Sequence, residues 1–96
     1  MADAIVLTPA DNVATALRPL AAGEVVRVQR GETALEIVPA EPVPLCHKIS
    51  LARIGAGESV TKYGEPIGVA LEAIGPGRHV HIHNMRSNRG RAEAAR

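Results

Sequence analysis

The sequence predicts a small, mainly β domain carrying one short helix. Three observations support this. The chain has 96 residues, the size of a single domain. Nine glycines and seven prolines provide many turns. One local pattern also recurs three times, as "ALRPLAAGEVV" (16–26), "SLARIGAGESV" (50–60) and "ALEAIGPGRHV" (70–80).

Each copy has an aliphatic residue, a second three later, Gly three later and Val three later. The sets are Leu17, Leu20, Gly23, Val26; Leu51, Ile54, Gly57, Val60; and Leu71, Ile74, Gly77, Val80. The copies are unevenly spaced, which excludes a solenoid. The pattern reads as an apolar segment, a turn at a positive-φ glycine, then a strand. All nine aliphatic positions are expected in the core. That core must be aliphatic, because Tyr63 is the only aromatic residue.

The elements follow in order. Asp11 is placed to cap a short helix near 11–18, with Val13, Ala14 and Leu17 at helical spacing. "VVRVQRG" (25–31) and "TALEIV" (33–38) alternate as a hairpin. "PAEPVP" (39–44) reads as a stiff connector, "HKISLARI" (47–54) as a strand, "KYGEPIG" (62–68) as a turn-rich loop and "VALEAI" (69–74) as strand-like. The domain is expected over residues 1–84, with a mobile basic tail, or one ordered by a partner, over 85–96.

Several function classes are excluded by composition. A net charge of +1 gives no strong field for nucleic acid or membrane. No aromatic platform exists for stacking bases. Cys46 is the only cysteine and has no intrachain partner for a disulfide. The N-terminus lacks the pattern of a signal peptide, and no apolar run approaches bilayer length. A soluble cytoplasmic protein is expected.

Three of the four histidines fall within "GRHVHIHN" (77–84). On a strand, Val80 and Ile82 would face the core and His79, His81 and His83 the other side. Same-face neighbours lie roughly 6.5–7 Å apart, too far for all three to chelate one ion on a flat strand. Two could converge if a bulge or twist intervened, or the row could line a groove for an anion. The other copies carry Val25, Arg27, Gln29 and Ser59, Thr61, Tyr63 at these positions, so the scaffold does not require histidine. An exposed strand face that tolerates histidine is the plain alternative.

His47 and Lys48 offer carboxylate binding or acid–base chemistry. Lys62 and Tyr63 could contact a substrate; alternatively Tyr63 covers the edge of the core. Cys46 and His47 diverge on a strand, which argues against a nucleophile pair. No phosphate loop, dinucleotide fingerprint or paired-cysteine metal site is present.

The run from His47 to Asn84 resembles the N-terminal domain of the altronate/galactarate dehydratase family. The shared elements are His47-Lys48-Ile49, Leu51, Gly57-Glu58, Lys62-Tyr63-Gly64, Ile67-Gly68 and His79 to Asn84, with Ser50 where alanine is typical. The segment from Asp11 to Glu24 resembles the family's opening. The resemblance implies a SAF-type domain of β-clip architecture, here as a small subunit separate from a larger catalytic one. It implies a hydro-lyase that eliminates water from an aldonate or aldarate, or sulfite in a sulfolactate sulfo-lyase relative. It also implies a divalent metal (iron, manganese or magnesium) shared with the large subunit. The implied catalytic residues are His79, His81, His47 and Lys48. Lys62, Tyr63, His83 and Asn84 would bind substrate, and His79 and His81 would bind metal. The chain alone is expected to be inactive. A non-catalytic module holding a sugar acid, a metal or a partner is the competing reading.

Overall fold

The computed structural model describes residues 2–88, and it is built from strands and turns. The strands are β1 (Ala4–Val6), β2 (Val13–Ala16), β3 (Val26–Arg30), β4 (Thr33–Ile37), β5 (Lys48–Ser50), β6 (Ser59–Lys62), β7 (Glu65–Ala70), β8 (His79–Val80) and β9 (Met85–Ser87). One sheet runs β4-β3-β1-β2-β5-β8 and the second β6-β7-β9. Pairing is antiparallel except for β1 with β3.

No helix forms at 11–18. Val13–Ala16 is a fully buried strand instead. Asp11 does not cap a helix. Its carboxylate accepts from the Thr8 hydroxyl at 2.8 Å, the Gly64 amide at 2.8 Å and the Leu7 and Thr8 amides at 3.3 and 3.4 Å. Burial by itself would raise its pKa, but these donors together hold it below the usual value. Asp11 thus ties the turn after β6 to the loop after β1.

The repeat holds in its second, third and fourth positions. Gly23, Gly57 and Gly77 have φ of 83°, 82° and 79°. Leu20, Val26, Ile54, Val60, Ile74 and Val80 are buried. The first position fails as core: Leu17 is 50% exposed, Leu71 49% exposed, and Leu51 half-buried. Its backbone matters more than its side chain. The amides of Leu17, Leu51 and Leu71 donate to Asp3, Asn12 and Asn84 carbonyls, each at 2.9 Å.

A fourth copy lies where a connector was expected. Ala40, Val43, Cys46 and Ile49 repeat the spacing, and Cys46 takes the glycine's place at φ 70°. Val43 pairs with Leu20, as Ile54 pairs with Ile74. Leu20, Val43 and Ile49 belong to one core cluster, Ile54, Ile74 and Val80 to a second. Paired copies thus place one bridge in each core.

The hairpin of β3 and β4 forms as expected. "KYGEPIG" is not a loop: β6 turns into β7 through Tyr63 and Gly64. Their φ values of 54° and 79° suit a two-residue type I′ turn between the paired Lys62 and Glu65. The sheet also passes Asn84, because Met85–Ser87 pairs with β7. The remaining tail, 89–96, lies outside the described residues.

Candidate functional site

The β5–β8 pair builds the site. Lys48 lies opposite Val80, and Ile49 opposite His79. His47 immediately precedes β5. Its amide donates to the Pro44 carbonyl at 3.1 Å, and its own carbonyl accepts from the Ala16 amide at 2.9 Å.

After Val80 the expected alternation ends. Residues 81–84 turn, closed by the Asn84 amide donating to the His81 carbonyl at 3.1 Å. Ile82 is therefore 77% exposed rather than in the core. The turn removes the strand spacing that separated the imidazoles. His81 stacks on His47 with ring centroids 3.8 Å apart, and His79 stacks on His47 at 5.0 Å. His83 tilts against His79 at 5.0 Å and is exposed.

His47, His79 and His81 each offer one ligand atom, and these lie within 4.8 Å of one another. His47 Nδ1 and His79 Nε2 are 2.7 Å apart, so one proton must lie between two nitrogens that could both ligate. His81 Nδ1 is buried and has no hydrogen-bond partner among the described residues. A buried nitrogen lone pair or N–H is costly unless something meets it. Imidazole nitrogens bind divalent metals at about 2.0–2.1 Å, so the rings would have to rotate for all three to meet one ion. The residues present therefore fit a metal.

The electrostatics favour the neutral form of His79 and His81. Burial lowers the pKa of His79 first, followed by the fields of His83, His47 and His81, against a raising influence from Glu41. His81 is lowered by burial, then by His47, Lys48 and His83. Neutral imidazole is the ligating form.

Lys48 is buried, and its pKa is lowered by burial and then by Lys62. The salt bridges among the described residues join Arg18 to Asp3 and Glu24, and Arg78 to Glu41, leaving Lys48 outside them. Thr15 sits opposite Lys48 on β2 and receives the Tyr63 hydroxyl at 3.2 Å. Lys62 Nζ lies 4.9 Å over the Tyr63 ring. These contacts link the "KYG" turn to Lys48 through Thr15.

The Asn84 side chain is taken up by the backbone of its own turn. It is 3% exposed, and its amide is used on backbone: Nδ2 donates to the His79 carbonyl at 2.8 Å, and Oδ1 accepts from the His81 amide at 3.0 Å. Sequence reasoning missed two supports. Glu41 accepts from the His79 amide at 3.1 Å while paired to Arg78 at 2.7 Å. Ser50 Oγ reaches the Gly75 carbonyl at 2.5 Å and receives the Arg78 amide at 2.9 Å. The available signal was Ser50, the single departure from the alanine typical of the family; nothing local in the sequence marks Glu41.

Residues 2–88 match the family described as altronate/galactarate dehydratase SAF domain. The altronate dehydratase of Escherichia coli (strain K12) is 46% identical over 78 residues, 81% of this chain and 15% of that protein. The altronate dehydratase of Bacillus subtilis (strain 168) is 38% identical over the same shares. The (2R)-sulfolactate sulfo-lyase subunit alpha of Chromohalobacter salexigens is 35% identical over 49 residues, 51% of this chain and 52% of that subunit. The chain thus spans 15% of the length of the altronate dehydratases it matches.

Proposed function

We propose, for a chain that belongs to the altronate/galactarate dehydratase SAF-domain family, that it is the small subunit of a cytoplasmic sugar-acid hydro-lyase. In this reading it contributes a metal-binding histidine cluster to an elimination site completed by a larger chain. The carrying observation is the convergence of His47, His79 and His81, beside a buried His81 Nδ1 that meets no hydrogen-bond partner among the described residues. The two-sheet arrangement is read as the β-clip form of the SAF domain.

In β-elimination next to a carboxylate, a base removes the proton on the carbon beside it. Electrons then form the C=C bond, and the leaving group departs from the neighbouring carbon. Hydroxide leaves with a proton as water; in a sulfo-lyase the C–S bond breaks and sulfite leaves. A divalent metal would supply charge stabilisation for the enediolate. The all-imidazole donor set suits iron better than magnesium, which prefers oxygen ligands. Lys48 and Lys62 would hold the substrate carboxylate, and Tyr63 would rim it. His83, exposed beside His79, would exchange a proton with solvent. The cluster itself contains no carboxylate, so the remaining acid–base groups are assigned to the larger chain.

The test is co-expression with the larger family chain, then elimination assays on altronate, galactarate and (2R)-sulfolactate. Turnover should need both chains and fall at least tenfold, about 1.4 kcal/mol of barrier, in His81→Ala with its melting temperature kept. Turnover within about threefold in each of the His47, His79 and His81 alanine variants, under roughly 0.7 kcal/mol, would exclude the histidines from the chemistry. Turnover on sulfolactate alone would select the sulfo-lyase reading.

A further inference from the structure

The structure assigns Asn84 as the positioning residue that converts a row of strand histidines into a convergent cluster. This rests on the reading that His47, His79 and His81 form one site.

The repeat contains the same device in its other copies. Ser59 and Thr61 occupy in the second copy the places that His79 and His81 occupy in the third. There Asn12 Nδ2 donates to the Ser59 carbonyl at 2.9 Å, and Asn12 Oδ1 accepts from the Thr61 amide at 2.8 Å. Asn84 makes the same two bonds to His79 and His81. In the first copy, Asp3 Oδ2 accepts from the Arg27 amide, the His81 equivalent, at 2.9 Å. A side-chain clamp on the strand is thus a shared device of the scaffold.

What differs is where the clamp comes from. Asp3 and Asn12 reach in from distant chain, and the clamped strands run on to Arg30 and Lys62. Asn84 lies three residues beyond the amide it holds, and β8 stops at Val80. To be clamped from so near, the chain must fold back at His81. That turn carries the His81 ring over His47 at 3.8 Å. The same amide group also fixes the His79 carbonyl, so one buried side chain sets the relative placement of two ligating residues.

The test compares Asn84→Ala, Asn84→Asp and Asn12→Ala in the 96-residue chain, with two readouts. The first is ring-to-ring nuclear Overhauser contact between His47 and His81 without metal. The second is Co2+ titration followed by absorption. Asn84→Ala should lose the ring contact and bind Co2+ about 10–100-fold more weakly, the usual cost of removing a support behind a ligand. Asn84→Asp keeps the acceptor for the His81 amide, as Asp3 does in the first copy, and should keep the ring contact. If Asn84→Ala does not fold, that variant still reads the claim. Asn12→Ala loses an equivalent clamp away from the histidines and should leave both readouts within about threefold. The proposal is overturned if Asn84→Ala keeps the ring contact, if Asn84→Asp loses it, or if Asn12→Ala loses as much. Wild-type chain that shows ring contact but binds no Co2+ would remove the metal reading. The positioning claim would then stand or fall on the ring contacts.

Discussion

Cys46 provides a clean test of the fourth repeat copy. It holds φ 70° where the other copies place glycine at 79–83°. A β-carbon in the left-handed region costs roughly 1–2 kcal/mol. Glycine avoids that cost but gives up roughly 0.5–1 kcal/mol to its greater freedom in the unfolded chain. The first effect is larger, so Cys46→Gly should be more stable than Cys46→Ala by about 0.5 kcal/mol. The alanine variant is the right reference because it keeps the β-carbon and the Cys46 side chain is exposed. It should lie within about 0.5 kcal/mol of the parent. Urea unfolding followed by circular dichroism gives the difference from the midpoints, provided the slopes agree. In thermal melts, the gap should be about 2–4 °C for a domain of this size. At an ordinary extended position the order reverses, with glycine worse than alanine by roughly 0.5–1 kcal/mol. That reversed order would refute both the backbone assignment and the fourth copy.

Ile54→Ala should cost about 2–5 kcal/mol, because Ile54 is buried in the second core. Leu71→Ala, at the exposed first template position, should stay within about 0.5 kcal/mol, so equal losses would break the repeat's division of labour. Ser50→Ala should cost about 1–3 kcal/mol by orphaning the Arg78 amide, read by urea melts. Stability should fall as pH drops below about 6.5, the unfolded histidine value. His79 and His81 titrate lower in the fold, so the unfolded chain takes up protons first and stability is lost as pH passes through the folded values. Replacing His81 with Gln should flatten that part of a melting-temperature profile; an unchanged slope counts against the buried cluster.

The repeat was legible in sequence because glycine and small aliphatics mark it at fixed spacing. The fourth copy was not, because Cys46 fills the glycine slot and prolines disguise 39–44 as a connector. The helix at 11–18 failed for a related reason. Asp11 before an apolar run is compatible with a cap or with a side chain that binds distant amides, and only the fold brings Gly64 to it. At the site, the residue types were readable but their geometry was not. Alternation put Ile82 inside and the histidines in a row; one turn, closed through Asn84, reversed both. His47 and His79 meet across thirty-two positions of sequence, a separation no local pattern encodes.

The electrostatics of the cluster and of Lys48 work in the same direction. Burial that lowers His79 and His81 keeps them neutral near pH 7, so a cation meets lone pairs with less competition from protons. The same burial weakens the hold of Lys48 on its proton, and Lys62 weakens it further. A cation on the rings would press harder on that ammonium, since like charges in a low-dielectric setting repel more than in water. A carboxylate between them reverses the balance, because it is attracted by the ammonium and by the cation together. In the proposed site, metal and anion should therefore strengthen each other's binding by the same factor, as linkage requires. The measurement is Co2+ affinity with and without a non-reacting hydroxy acid such as glycolate. Tighter Co2+ binding in its presence, abolished in Lys48→Gln, supports the paired arrangement. Equal affinity under both conditions would separate Lys48 from the histidines and leave the cluster without its anion partner.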